Sequence, residues 1–390
     1  MSRILCSATG AALALTVAGC GPSLKLSAGT PPLILTAAAA AGIGDARGRF
    51  REILCAVDAA RGYYRDRPCD ALLHRLDDEP AAGGGPVALG VSAVRLRIRI
   101  VPGIFGQCAE DRATPFLDAV EPRPGQGYDI GRFGFDVAAL RVSGRGSSAQ
   151  NAAQVDQQLR AELARKPLAS GERLVLIGHS KGMSDLIEFV ARARSTPTDA
   201  QATSSLPDGS SIVSLSGVVA GTPIADMGED VYRPLRNLSV PGCAADDGGG
   251  VTSLTRRERL RFLARYPLPA DLHLYSVAAF TRPANISAAL RPTYDALART
   301  DPRNDGNVLF TDSIIPHSKV LGYLDADHWA VAMPFEVYAL AFARVAASRN
   351  HFPRVVLLEA IARMLAEDYQ AEHASSRRLE PAAGERRPND

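Results

Sequence analysis

The sequence predicts an α/β fold: a mainly parallel sheet with helices on both faces and a small cap or insertion. Short apolar runs alternate with segments of helical period across residues 94–348, the order that builds parallel sheets. Continuous apolar runs suit strands covered on both faces. One of them, Leu174-Val-Leu-Ile177, passes through Gly178-His179-Ser180-Lys181-Gly182 directly into a helix-period segment. There Met183, Leu186, Ile187 and Val190 share one face. A chain of 390 residues can bury one large core with small additions. With a formal charge of +2, one Trp and no long basic run, nothing points to a nucleic-acid partner.

The elements follow in order. Ser2-Arg3 gives a short charged start and Ile4 to Val17 an apolar, Ala-rich stretch too short to span a bilayer comfortably. Residues 1–19 therefore read as a cleaved signal peptide. Residues 20–49, rich in Gly, Pro, Ser and Ala, suit a tether. Residues 50–90 read as an N-terminal helical extension and linker. Phe50, Ile53, Leu54 and Val57 have helical spacing, as do Leu72, Leu73 and Leu76, and three glycines lie between Pro80 and Pro86.

The main domain is expected over 91–350. Val94 to Val101 alternates strictly and predicts a strand with one wet face, an awkward pattern for the centre of a doubly covered sheet. Val137 to Val142 predicts the next strand, and Val155, Leu159 and Leu163 a helix after it. After the Leu174 strand and its helix come a polar loop, Ser195 to Ser211, and a strand from Ile212 to Ala220. Residues 227–270 are irregular and suit a lid or cap. Within them Thr255 and Glu258 have capping-box spacing before Leu260, Phe262 and Leu263. Leu272 to Phe280 and Lys319 to Leu324 predict the last strands, and Phe335 to Ala347 and Arg354 to Asp368 helices. A C-terminal helix is placed over 351–372, and the charged tail 373–390 is expected to be disordered.

Cysteine usage carries information on compartment. Cys6 leaves with the signal peptide, and Cys55, Cys69, Cys108 and Cys243 can form two disulfides in an oxidising compartment. Three pairings are open. Cys55 with Cys69 is expected, because both flank one short helical hairpin, leaving Cys108 with Cys243. No C-x-x-C or His-Cys cluster argues for a metal, and no cofactor is called for.

Gly178-His179-Ser180-Lys181-Gly182 lies between a strand and a helix, the context in which a sharp turn exposes a serine above a sheet. A serine hydroxyl needs a base, usually an imidazole oriented by a carboxylate. Beyond Ser180 lie His273, His317, His328, His351 and His373. His328 directly follows the last strand, in Leu324-Asp-Ala-Asp-His-Trp329, and is the expected base. For the acid, Asp295, Asp301, Asp305 and Asp312 are on offer. Asp305, in an Asn304-Asp305-Gly306 turn, comes first and Asp312 second. Asp327 adjoins His328, and neighbouring side chains diverge, which makes it a poor orienter.

The elbow, Gly221-Thr222-Pro223 with Ala225-Asp226, Asn304-Asp305-Gly306 and His328 together resemble the α/β-hydrolase superfamily, specifically its bacterial lipases and carboxylesterases. The resemblance spans roughly residues 94–348. It implies the α/β-hydrolase fold and a serine hydrolase acting on carboxylic, lipid or acyl, esters through an acyl-enzyme. Acyltransferase, thioesterase or amidase chemistry on the same triad is the alternative, as is a non-catalytic envelope binding protein. The resemblance assigns Ser180, Asp305 and His328 to the triad, and the backbone amides of Lys181 and Ile104 to the oxyanion hole, with Phe105 second to Ile104. Pro102-Gly103 stands where the family has His-Gly, and Trp329-Ala330-Val331 lacks the calcium-ligand Asp of some relatives, so no calcium site is expected. Val17-Ala18-Gly19-Cys20 resembles the lipobox of bacterial lipoproteins. That implies a palmitate-type lipid anchor on Cys20 and, with Gly21 rather than Asp after it, the outer membrane facing the periplasm. The expected substrate is an acyl ester or lipid, and the expected state a monomer.

Overall fold

The computed structural model describes residues 42–62, 68–76, 79–104, 116, 129–195, 205–232, 247–269, 271–334 and 351–379. Seven strands among them form one parallel sheet in the order β1-β7-β6-β5-β4-β2-β3. They are β1 (Gly44–Asp45), β2 (Arg95–Val101), β3 (Phe135–Ala139), β4 (Glu172–His179), β5 (Ser211–Leu215), β6 (His273–Phe280) and β7 (Lys319–Asp325). The helices are α1 (Arg47–Arg61), α2 (Ser148–Arg165), α3 (Lys181–Ser195), α4 (Pro223–Tyr232), α5 (Arg256–Arg265), α6 (Arg291–Leu297) and α7 (Arg354–Leu379).

The period of two along the strands sorts the core into two layers. Leu96, Ile98 and Ile100 of β2, Val175 and Ile177 of β4, and Val277 of β6 face α1 and α7. Leu174 and Leu176 of β4 and Ile212 of β5 face α2 and α3, against Val155, Leu159, Met183, Leu186 and Ile187. Strands apolar on both faces are thus covered on both, as expected.

The wet face expected for β2 is absent, because β2 is an inner strand, paired with β3 on one side and β4 on the other. Arg97 is fully buried and donates to Glu172 (2.9 Å), to Lys166 O and to Pro167 O (3.2 Å). Arg99 donates to Glu162 (2.8 Å) and to the Asp136 carbonyl (3.0 Å). Arg97 and Arg99 therefore form a buried ionic layer beneath the C-terminal end of α2, while Arg95 at the strand's start stays exposed.

The terminal boundaries also shift. β1 pairs with β7 and α1 starts at Arg47, so the folded body begins inside the expected tether. Residues 50–57 lie in α1, with the helical spacing expected of them. Phe50, Ile53, Leu54 and Val57 are buried against α7, and Arg61 reaches Glu359 of α7 at 2.7 Å. The helix α7 continues to Leu379, into the interval expected to be disordered. β3 and β5 are shorter and end earlier than their apolar runs. The Thr255 cap of α5 forms as expected, its side chain accepting from Glu258 N. The Cys55–Cys69 disulfide is present and ties α1 to the segment carrying Leu72 and Leu73. Cys20, Cys108, Cys243, Phe105, the helix expected over 335–347 and the middle of the expected lid, 233–246, lie outside the described residues.

Arg97 and Glu172 yield a sharp test of this packing. Glu172→Ala leaves a buried guanidinium without its carboxylate and should cost about 3–5 kcal/mol. Arg95→Ala, at an exposed position of the same strand, should stay within about 0.5 kcal/mol. Urea denaturation of the two variants reads both values.

Candidate active site

Strand order places the site. The chain runs out through β2 and β3, returns to β4 beside β2, then proceeds the other way through β5, β6 and β7. The reversal falls at the carboxyl ends of β2 and β4, where open α/β sheets bind ligands. Ser180 directly follows β4 there, with φ of +55°, a left-handed backbone rare for serine. The flanking glycines make this possible. A Cβ on Gly182 would sit 2.0 Å from Val101 O, and one on Gly178 2.5 Å from Met183 Cα. The Ser180 carbonyl accepts from Met183 N (3.1 Å) and Val218 N (2.9 Å), which anchors the turn to the helix below and to the segment after β5.

Asp305, His328 and Ser180 meet in one hydrogen-bonded line. His328 Nδ1 lies 2.7 Å from Asp305 Oδ2, and His328 Nε2 lies 2.7 Å from Ser180 Oγ. A carboxylate only accepts, so the Nδ1 hydrogen points to Asp305, and Nε2 is left to accept from the serine hydroxyl. All three side chains are buried, with His328 2% exposed. The other oxygen of Asp305 accepts from Asn307 N (2.9 Å) and Val308 N (2.7 Å), which fixes the carboxylate plane.

The structure separates the other candidates from this line. Asp312 is held by both oxygens to Arg256, at 2.6 and 2.7 Å. Asp295 pairs with Arg291 and Asp301 with Arg303. His317 is exposed, His273 pairs with Glu372, and His373 meets Arg173. Asp327 does turn away from the imidazole. It accepts from Ser287 N and Oγ and from Trp329 N and Ala330 N, and so shapes the loop that carries His328.

Lys181 is the first residue of α3, so its N–H has no intrahelical acceptor and sits beside Ser180 at the positive end of the helix. Its side chain turns inward to Asp185 at 2.6 Å, and Asn151 Nδ2 also reaches Asp185, at 2.7 Å. Ile104 follows Gly103, whose added Cβ would lie 2.9 Å from Ser180 Cβ. The segment after β2 thus runs directly past the serine. Among the described residues no cluster of three or more His, Cys, Asp or Glu side chains could hold a metal ion.

Sequence reading missed three supports. Thr222 Oγ1 donates to Asn307 O at 2.6 Å and braces the Asp305 turn; the Gly-Thr-Pro motif marked the residue but not this job. Gly103 allows the close approach to Ser180. His179 touches the His328 main chain, and no sequence signal points to that contact. The described parts of the expected lid are docked onto the body: α5 holds Asp312 through Arg256 and Val219 O through Arg259.

No protein-family model matches this chain, and no curated protein matches it in sequence. Solved structures do. The metagenomic carboxyl esterase MGS0156 is 39% identical with a TM-score of 0.75, over 87% of this chain and 97% of that one. The mature Bacillus licheniformis lipase BlEst2 is 17% identical with a TM-score of 0.44, over 63% of this chain and 89% of that one. The Staphylococcus hyicus lipase is 12% identical with a TM-score of 0.49, over 74% and 100%. The fold and this first match place the chain in the α/β-hydrolase superfamily. Within it, the chain belongs to the carboxyl esterases.

Gly182→Ala should remove folded protein or lower the melting temperature sharply, because backbone at Val101 cannot yield to the new methyl group. Gly171→Ala is the control, since nothing lies near its added Cβ and its cost is confined to its own turn. Thermal melts of the two variants test the wedge.

Proposed function

We propose that this chain hydrolyses carboxylic esters through an acyl-enzyme, with Ser180 as nucleophile, His328 as base and acid, and Asp305 as orienter. The observation that carries the reading is the unbroken line of hydrogen bonds from Asp305 through His328 to Ser180 Oγ. In the first half-reaction, Ser180 Oγ attacks the ester carbonyl carbon while its proton passes to His328 Nε2. The carbonyl oxygen becomes an oxyanion, held by the N–H groups of Lys181 and Ile104. Each donor contributes about 3 kcal/mol that water would not supply at the same geometry. The tetrahedral species collapses, the alcohol leaves with the proton from His328, and the acyl group remains on Ser180. Water then repeats the sequence, returning the carboxylic acid and the free serine. Asp305 holds the imidazole in the required tautomer and balances the imidazolium. Lipid or other acyl esters are the substrate class this reading favours.

We also propose that Cys20 carries a lipid anchor and that the mature protein faces the periplasm from the outer membrane. The support is Val17-Ala18-Gly19-Cys20 behind an apolar, Ala-rich segment, together with the Cys55–Cys69 disulfide, a bond that persists in oxidising compartments.

Two experiments test these readings. On a chain-length series of p-nitrophenyl esters, Ser180→Ala and His328→Ala should each lose roughly 10⁴-fold or more in kcat, and Asp305→Asn about 10⁴-fold. Turnover within tenfold of wild type in any of the three removes that residue from the mechanism. For the anchor, Cys20→Ser should move the protein from the membrane to the soluble envelope fraction and abolish palmitate labelling. Unchanged fractionation and labelling would reject it.

A further inference from the structure

His179 stands one residue before the nucleophile, and the triad does not use it. Its ring is 2% exposed, and Nε2 lies 3.0 Å from the carbonyl oxygen of His328. A carbonyl can only accept, so Nε2 must carry the hydrogen, and Nδ1 is left as a bare lone pair. Nδ1 is buried and has no hydrogen-bond partner, so the ring has one satisfactory state, the neutral Nε2–H tautomer. Burial, and then the His328 ring with its centroid 5.2 Å away, hold the His179 pKa down to about 3.

The other side of His328 is gripped as well. Its N–H donates to the main-chain oxygen of Asp305 at 2.8 Å. Both main-chain polar groups of His328 are therefore taken by the two loops that supply its side-chain partners, the Asp305 turn and the residue adjoining Ser180. No covalent link within 100 residues of chain ties the β7 loop to the elbow, since the two histidines are 149 residues apart. The His179 ring bond ties the elbow to the backbone of that loop, beside the side-chain bond between Ser180 and the His328 ring.

We propose that His179 is a positioning residue. Its Nε2–H clamps the His328 carbonyl and so sets the reach of the imidazole to Ser180 Oγ. The inference rests on the triad reading above. A neutral clamp suits the chemistry. His328 becomes an imidazolium during proton transfer, and a second charge on the neighbouring ring would oppose it. A slip of about 1 Å in the base costs on the order of 100-fold in rate, while substrate binding, made elsewhere, is little changed.

The test uses the purified chain with two substitutions. His179→Gln places an amide N–H at a reach close to that of Nε2; His179→Phe keeps a ring but removes the donor. Steady-state kinetics on p-nitrophenyl butyrate are read beside melting temperature. His179→Phe should lose about 10- to 100-fold in kcat with KM within about twofold, and His179→Gln should return to within about fivefold of wild type. If the Phe variant does not fold, His179→Asn replaces it. Its amide is one bond too short, and it should show the same loss in kcat. A donor-less or short-donor variant with kcat within threefold of wild type overturns the proposal, as does a folded Gln variant no better than Phe. Ser180→Ala is run in parallel. Full activity there overturns the triad and this proposal together, whereas an inactive Ser180→Ala beside a fully active His179→Phe overturns this proposal alone.

Discussion

The architecture depends on a serine held at positive φ between two glycines that touch backbone. Ser180 reaches φ of +55° only because β4, β2 and the first turn of α3 close around it. Gly182 lies against Val101 O at the end of β2, and Gly178 against Met183 in α3. A side chain at either position would part the elements whose contact creates the turn. Strain of this kind, on the order of 1–3 kcal/mol, persists only where the surrounding packing over-determines it. Here two apolar layers on opposite faces of the sheet supply that packing, α1 with α7 and α2 with α3.

Around the elbow the protein stitches distant loops together with hydrogen bonds from buried side chains and the main-chain bond from His328 N to Asp305 O. The Asp305 turn is braced by Thr222, just before α4, and the His328 loop is shaped by Asp327 and Ser287. His328 itself is bonded through its ring to Ser180 and Asp305, and through its backbone to His179 and Asp305. The positions of the Ser180, His328 and Asp305 side chains are thus fixed by hydrogen bonds between loops at one end of the sheet. The proposed acyl transfer would draw on such preorganisation.

Much of this was legible in the chain because it is local or has fixed order. The elbow is a contiguous strand, turn and helix, the histidine sits just past β7, and the Asp-Gly turn precedes it by 23 residues. What failed was non-local. The arginines of β2 read as a wet face because their answering carboxylates, Glu162 and Glu172, lie 63 and 75 residues further on. Residues 50–57 read as an appendage because the partner of Arg61 in α7 is 298 residues away. His179 carried no signal, since nothing in a sequence names the carbonyl a buried ring will meet. Asp312 reads as a rival to Asp305 because its partner, Arg256, lies 56 residues upstream.

Diethyl p-nitrophenyl phosphate titration bears most directly on the central claim, because it reads nucleophile and leaving group together. The account predicts release of one equivalent of p-nitrophenolate per chain, loss of esterase activity in proportion, and a diethylphosphoryl group found by peptide mapping on Ser180. Inactivation with the phosphoryl group on another residue, or undiminished reaction of Ser180→Ala, would contradict it.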